Sequence, residues 1–154
     1  MEENIVKYIN TAIELELEMS ELYRVFSQHI REDVNFWYRL EIEEKNHAAL
    51  LKTAREFVKF NKMPDGLLPD NPEILEETNR RIKEAKESFL KAPARELAFS
   101  IAYELENAAG EVHFQHFMEK QTDDRLVKIF HELNQADKDH AMRIHSYWKK
   151  VLPD

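Results

Sequence analysis

Glu44-Lys45-Asn46-His47-Ala48 and Asp137-Lys138-Asp139-His140-Ala141 are two versions of one stretch, 93 residues apart, and their reading decides the fold. A second matched pair lies upstream of each. Ala12-Ile13-Glu14-Leu15-Glu16 answers to Ala102-Tyr103-Glu104-Leu105-Glu106 at an offset of 90, and Leu40 falls on Leu133. Self-similarity of this kind predicts two similar structural units, here two helical hairpins packed about a pseudo-twofold axis. The carboxylate-x-x-His pair is weak on its own. With 30 acids among 154 residues and 7 histidines, composition alone supplies about 1.4 such pairs, so finding two decides nothing. Their position decides more.

Apolar residues around each pair recur at steps of three and four, the mark of a helix with one buried face. The first predicted helix, 3–30, has an inward stripe of Ile9, Ala12, Ile13, Glu16, Met19, Tyr23, Phe26 and Ile30. After a break near Arg31–Asp33, the second, 34–60, carries Trp37, Leu40, Glu44, His47, Ala48, Leu51 and Val58. The stretch 61–71, NKMPDGLLPDN, is a predicted loop. Asn71-Pro72-Glu73 then reads as a helix start, with Asn as cap and Pro at the first helical position. A short, highly charged helix to Leu90 follows, expected as a solvated cover or part of a dimer interface, and Lys91-Ala92-Pro93 breaks it. The third long helix, 94–120, carries Ala98, Ala102, Glu106, Ala109, His113 and Phe117. Past a turn at 121–124, the fourth runs to about Val151 through Leu126, Phe130, Leu133, Asp137, His140, Ala141, Ile144 and Trp148.

The fold class expected is therefore all-α, one domain over 1–154: hairpin 3–60, a long crossover at 61–93 containing a short helix, and hairpin 94–151. Composition agrees. Two Gly and five Pro in 154 residues leave few turns, and 34% charged with 43% hydrophobic residues suits long amphipathic helices around one core. The net charge of −8 repels phosphate backbones and anionic lipid, so neither nucleic acid nor membrane is an expected partner. There is no cysteine, which excludes disulfides, thiolate metal sites and cysteine nucleophiles. MEENIVKYIN lacks a basic stretch followed by an apolar one, and no run of 18 apolar residues exists. The expectation is a cytoplasmic protein without a signal peptide.

In a helical hairpin, residues equidistant from the turn lie level. The midpoint of Glu16 and Glu44 is residue 30, beside the first break; that of Glu106 and Asp137 falls inside the second turn. Each hairpin thus sets two acids level on its apolar stripe. A buried carboxylate is costly unless paired or metal-bound. Four carboxylates and two imidazoles neutralise one another only in part, whereas two divalent cations balance four carboxylates in full. Residues i and i+3 share a helix face, so each carboxylate-x-x-His pair can serve one metal zone. The candidate ligands are Glu16, Glu44, His47, Glu106, Asp137 and His140. A one-position error in the face would substitute Glu14 or Glu18 for Glu16, and Glu104 for Glu106. His113 sits where the repeat has Tyr23; it reads first as a satisfied core histidine and second as a donor orienting a carboxylate. Tyr23, Trp37, Phe130 and Trp148 read as packing rather than redox relays; His29, His131 and His145 read as surface residues.

With these residues the chain resembles the ferritin-like superfamily, most closely the rubrerythrin-type di-iron domain. The resemblance implies a ferritin-like four-helix bundle holding two iron ions, with manganese or zinc as alternatives for such donors. It also implies a supporting hydrogen bond from Tyr23 to a ligand. Three departures stand out: Asp137 replaces the usual Glu, Ala109 replaces a further Glu, and the cysteine-bound iron domain of full-length rubrerythrins has no counterpart. The implied function is a di-iron carboxylate protein that binds and reduces peroxide or dioxygen, in oxidative-stress or iron handling. It would have no catalytic groups beyond the ligands, take electrons from an external donor, and assemble as a homodimer. Alternatives are ferrous oxidation and storage, a non-catalytic metal-binding protein, and an oxidase acting on an organic substrate.

Overall fold

A computed structural model describes residues 2–60, 73–113 and 125–154, apart from the side chains of 2, 3, 109–113, 126, 127, 130 and 134. Every element among them is helical: α1 Glu2–His29, a 3-10 turn Arg31–Asp33, α2 Val34–Phe60, α3 Ile74–Lys91, α4 Arg95–His113 and α5 Arg125–Val151. The expected loop at 61–71, the Asn71–Pro72 cap, the turn at 121–124 and the last part of the third helix, with Phe117, lie outside the described residues. So do the side chains of Ala109, His113, Leu126 and Phe130.

The first reversal is built at Ile30, whose backbone leaves the helical region (φ −112°, ψ 88°). Its N–H still closes the last turn of α1 on the Phe26 carbonyl at 2.9 Å. Asp33 then fixes the turn from inside. It is buried, accepts two 2.7 Å hydrogen bonds from the Arg95 guanidinium at the start of α4, and accepts a 2.8 Å bond from the Tyr147 hydroxyl on α5. A forked, charge-assisted pair is among the stronger polar contacts available. This one ties the α1–α2 turn to both helices of the second half.

Side-chain contacts give the helix directions. Asn10 meets Arg55 and Ser20 meets the Glu41 carbonyl, so α1 and α2 run antiparallel. Phe99 packs on Trp148 and Tyr103 on His145, so α4 and α5 do too. Phe36 stacks on Tyr147, and Glu43 pairs with Arg143, joining α2 to α5 in opposite senses. Between the halves, Tyr23, Phe26, Trp37, Phe89 and Phe99 form a fully buried aromatic cluster. Its packed ring centroids lie 4.7 Å (Phe26–Phe89) to 6.3 Å (Tyr23–Phe26) apart.

Helix α3 corrects one expectation. It is not a uniformly solvated cover: Leu75, Ile82 and Phe89, at seven-residue steps, are buried with Thr78 and Asn79 between them. That stripe packs along α1 in the same direction, Asn79 toward the Thr11 carbonyl and Phe89 onto Phe26. Its end is set by Pro93. A residue before proline is driven out of the α region, and Ala92 is extended at φ −150°, ψ 73°. No helix among the described residues is long and apolar enough to cross a membrane.

Candidate metal centre

Midway along the helices the apolar stripes turn polar together. Glu16 on α1, Glu44 and His47 on α2, Glu106 on α4, and Asp137 and His140 on α5 are all buried. The alternatives that a shifted face would have chosen point elsewhere. Glu14 and Glu104 are exposed, the latter 3.2 Å from Arg81, and half-buried Glu18 faces Lys83. The difference arises because only 16 and 106 continue the stripes of Ile9, Ala12, Met19 and of Ala98, Ala102.

The six side chains converge. His47 Nδ1 lies 3.2 Å from Glu44 Oε2 and 3.4 Å from Glu16 Oε2. His140 Nδ1 lies 2.8 Å from Glu44 Oε1 and 3.4 Å from Glu106 Oε1. Glu44 thus offers one oxygen to each imidazole. The two rings stack with centroids 5.2 Å apart. Ligand atoms fall into three groups, each within 4.8 Å: Glu44, His47 and His140; Glu16, His47 and Asp137; Glu106, Asp137 and His140. Asp137, one methylene shorter than Glu, still reaches two of them. Tyr23 donates its hydroxyl to Glu106 Oε1 and stacks on Trp37.

Three polar atoms at the middle of this cluster are orphaned. Glu44 Oε1, Asp137 Oδ2 and His140 Nδ1 are buried with no hydrogen-bond partner among the described residues. Glu44 Oε1 and His140 Nδ1 are close, at 2.8 Å, yet not aligned as donor and acceptor. Two electron-rich atoms that approach without pointing at each other are arranged as ligands of a common cation are. An unsatisfied buried polar atom costs about 1–3 kcal/mol, so three in one spot are a large defect unless something else binds there. The donor set, carboxylate oxygen and imidazole nitrogen, fits iron, manganese or zinc.

Without a cation the cluster holds protons. Burial, then the charge of Glu44, raises Glu16 well above the usual carboxylate range. Burial, then Glu106, does the same to Asp137. Burial and Glu44 bring Glu106 up to about 7. Glu44 goes the other way: burial opposes its charge, but the Glu16 carboxyl and the imidazoles of His140 and His47 beside it hold it well below the usual range. Burial also works against a charged His140, yet its contacts with Glu106 and Glu44 push it up to about 11. One carboxylate is thus kept ionised at the expense of its neighbours, as like charges in a low-dielectric site require.

Several residues around the centre were not anticipated from sequence. Glu43, next to Glu44, lies 3.8 Å from His140 Nε2 and is forked by Arg143. Glu41 is buried and reached by Lys45 at 3.2 Å. Asp33 looked like a turn residue. The one available signal was spacing: Arg143 follows His140 by three residues and so shares its face. Of the histidines expected at the surface, His29 is exposed, but His131 and His145 are half-buried because they sit on the flank of α5, His145 against the Tyr103 ring. Comparison with protein-family models, with curated proteins and with solved structures gives no significant match.

Proposed function

We propose that the chain is a ferritin-like four-helix bundle of the rubrerythrin type, with α3 on the long crossover, and that its buried centre holds two iron ions used to reduce peroxide or dioxygen. The observation that carries this reading is the overlap of the three ligand groups. His47 with Glu16 would serve one ion and His140 with Glu106 the other. Glu44 and Asp137, each near both imidazoles, would lie between them. Two ferrous ions, when bound, supply together the two electrons that convert peroxide to water.

The chain's own residues do the rest. The carboxylates balance the charge of the ions, and the imidazoles limit each to an N/O donor set. Tyr23 holds Glu106 by its hydroxyl, and the stacked Trp37 keeps Tyr23 in that rotamer. Met19, one turn after Glu16, and Leu40, one turn before Glu44, are buried on the same helices. There is no cysteine to relay electrons, so the reductant is external, and a homodimer remains the expected assembly.

The test is anaerobic loading with ferrous iron, elemental analysis, and addition of peroxide. Two irons per chain and a change in the iron absorption bands are expected. Iron-loaded protein whose spectrum does not respond to peroxide would sink the redox role, and manganese or zinc in protein purified from cells would change the metal.

A further inference from the structure

Across the pseudo-twofold relation His47 answers to His140, yet the two imidazoles differ on the side away from the centre. His140 Nδ1 faces Glu44 and Glu106, so this nitrogen serves the metal groups. Its Nε2 faces the other way and lies 3.8 Å from Glu43 Oε1. Two consecutive acids of α2 therefore flank one ring, Glu44 on the inner nitrogen and Glu43 on the outer. Glu43 is fixed in turn. Arg143, one turn after His140, donates Nη1 and Nη2 to its two carboxylate oxygens at 2.8 and 2.9 Å, and Nη1 also lies 3.3 Å from Asp139.

The repeat does not copy this. Residue 43 corresponds to Ala136 and residue 143 to Leu50. His47 meets its carboxylates through Nδ1, Glu44 at 3.2 Å and Glu16 at 3.4 Å.

We propose that Glu43 is a positioning residue for His140, and that it makes the two metal positions unequal. The inference rests on the two-metal reading above. A neutral imidazole carries one N–H. The negative charge of Glu43, 3.8 Å from Nε2 and beyond hydrogen-bond reach, favours the proton on that nitrogen, leaves the Nδ1 lone pair facing the ion, and makes Nδ1 a stronger donor. At the positions that answer to Glu43 and Arg143 the other half carries Ala136 and Leu50, so His47 lacks the counterpart of that pair. The ion on His140, Glu106 and Asp137 therefore binds first and more tightly, and the ion on His47 and Glu16 second.

Anaerobic titration of the full chain with cobalt(II), followed by calorimetry and by the shifted imidazole N–H resonances in NMR spectra, tests this. The wild-type chain should take up two ions in two resolved steps and show one N–H that exchanges slowly with solvent. Glu43→Gln should weaken the tighter step about 10–100-fold, leave the weaker one in place, and lose the slow N–H. Arg143→Met removes the α2–α5 ion pair but leaves Glu43 beside His140. It should lower thermal stability and, by loosening Glu43, weaken the tighter step less than Glu43→Gln does, with the slow N–H kept. The assignment is overturned if Glu43→Gln changes neither step or both alike, or if Arg143→Met reproduces its losses. No cobalt uptake by the wild-type chain would overturn the metal centre itself, and Glu43's role with it.

Discussion

The two halves of the molecule bring the same kinds of ligand to the centre by different means. In the α1–α2 half, Glu16, Glu44 and His47 lie in continuous buried stripes, and the imidazole meets acids of its own hairpin. In the α4–α5 half the shared carboxylate is the shorter Asp137, and His140 takes its closest acid, Glu44, and its outer acid, Glu43, from α2. Tyr23 of α1 also reaches across to Glu106. The first hairpin draws only Asp137 and His140 from the second among its grouped ligand atoms, whereas the second takes Glu44, Glu43 and Tyr23 from the first. A repeated sequence therefore does not imply two equal sites.

The largest blow to the comparison is Glu44→Ala, which removes the acid facing both imidazoles. Metal content measured by elemental analysis should fall from two ions per chain to fewer than one, whereas Glu16→Ala should cost one ion. Equal losses would make the halves more alike than the geometry says.

Arg95→Met breaks the clasp between the first turn and the second half, leaving Asp33 buried with Tyr147 as its remaining partner. Removing one member of a buried pair costs about 3–5 kcal/mol, and partial exposure of Arg95 argues for the lower end, about 3 kcal/mol, in urea unfolding. A loss below about 1 kcal/mol would mean that the clasp behaves as a surface pair.

Asp137→Leu should act in opposite directions on folding and binding. Burial holds Asp137 well above the usual carboxylate range and its Oδ2 has no hydrogen-bond partner among the described residues, a defect of about 1–3 kcal/mol that an apolar residue removes, so the ion-free variant should melt no lower than wild type. Its metal content should drop to one ion or none. A variant that melts lower would show that Asp137 supports the fold as well as the centre.

The pH dependence of metal affinity follows from the protons that must leave. Glu16 and Asp137 sit above the carboxylate range, Glu106 near about 7 and His140 near about 11. Each raised group holds its proton below its folded value and must release it to bind. Affinity should therefore rise with pH across pH 5 to 8, about tenfold per pH unit for each proton displaced, with proton release visible in calorimetry. A flat profile would remove the proton-filled cluster from the account. The smallest effect is a control: Glu104→Ala, on the exposed face of α4, should change stability by no more than about 0.5 kcal/mol and leave metal content unchanged.

Much of the all-helical fold was legible because its signals are local. The bounds of α2 follow from a break at 31–33 and a change to loop residues after Phe60, and Glu16 stands out as an acid between Ala12 and Met19 on a buried face. What escaped depends on neighbours distant in sequence. The buried stripe of α3 is three apolar residues at seven-residue steps among many charges, and it becomes a core face only with α1 beside it. Asp33 has the composition of a turn and the job of an anchor, which appears only when Arg95 and Tyr147 arrive. Glu43 reads as one more solvated acid until the register of α2 against α5 sets it beside His140.

The stack of Trp37 on Tyr23 has an optical consequence. Trp37 is fully buried, its indole N–H has no hydrogen-bond partner among the described residues, and it is one ring away from the hydroxyl that holds Glu106. Trp148, the second of the two tryptophans, is half-buried beside Phe99 at the end of α5. Phe99 lies between the two indoles, 5.3 Å from Trp37 and 6.0 Å from Trp148, and it is Trp37 that stacks on the tyrosine holding Glu106. Filling the centre with a quenching ion should dim the blue-shifted emission of Trp37 more than the red-shifted emission of Trp148.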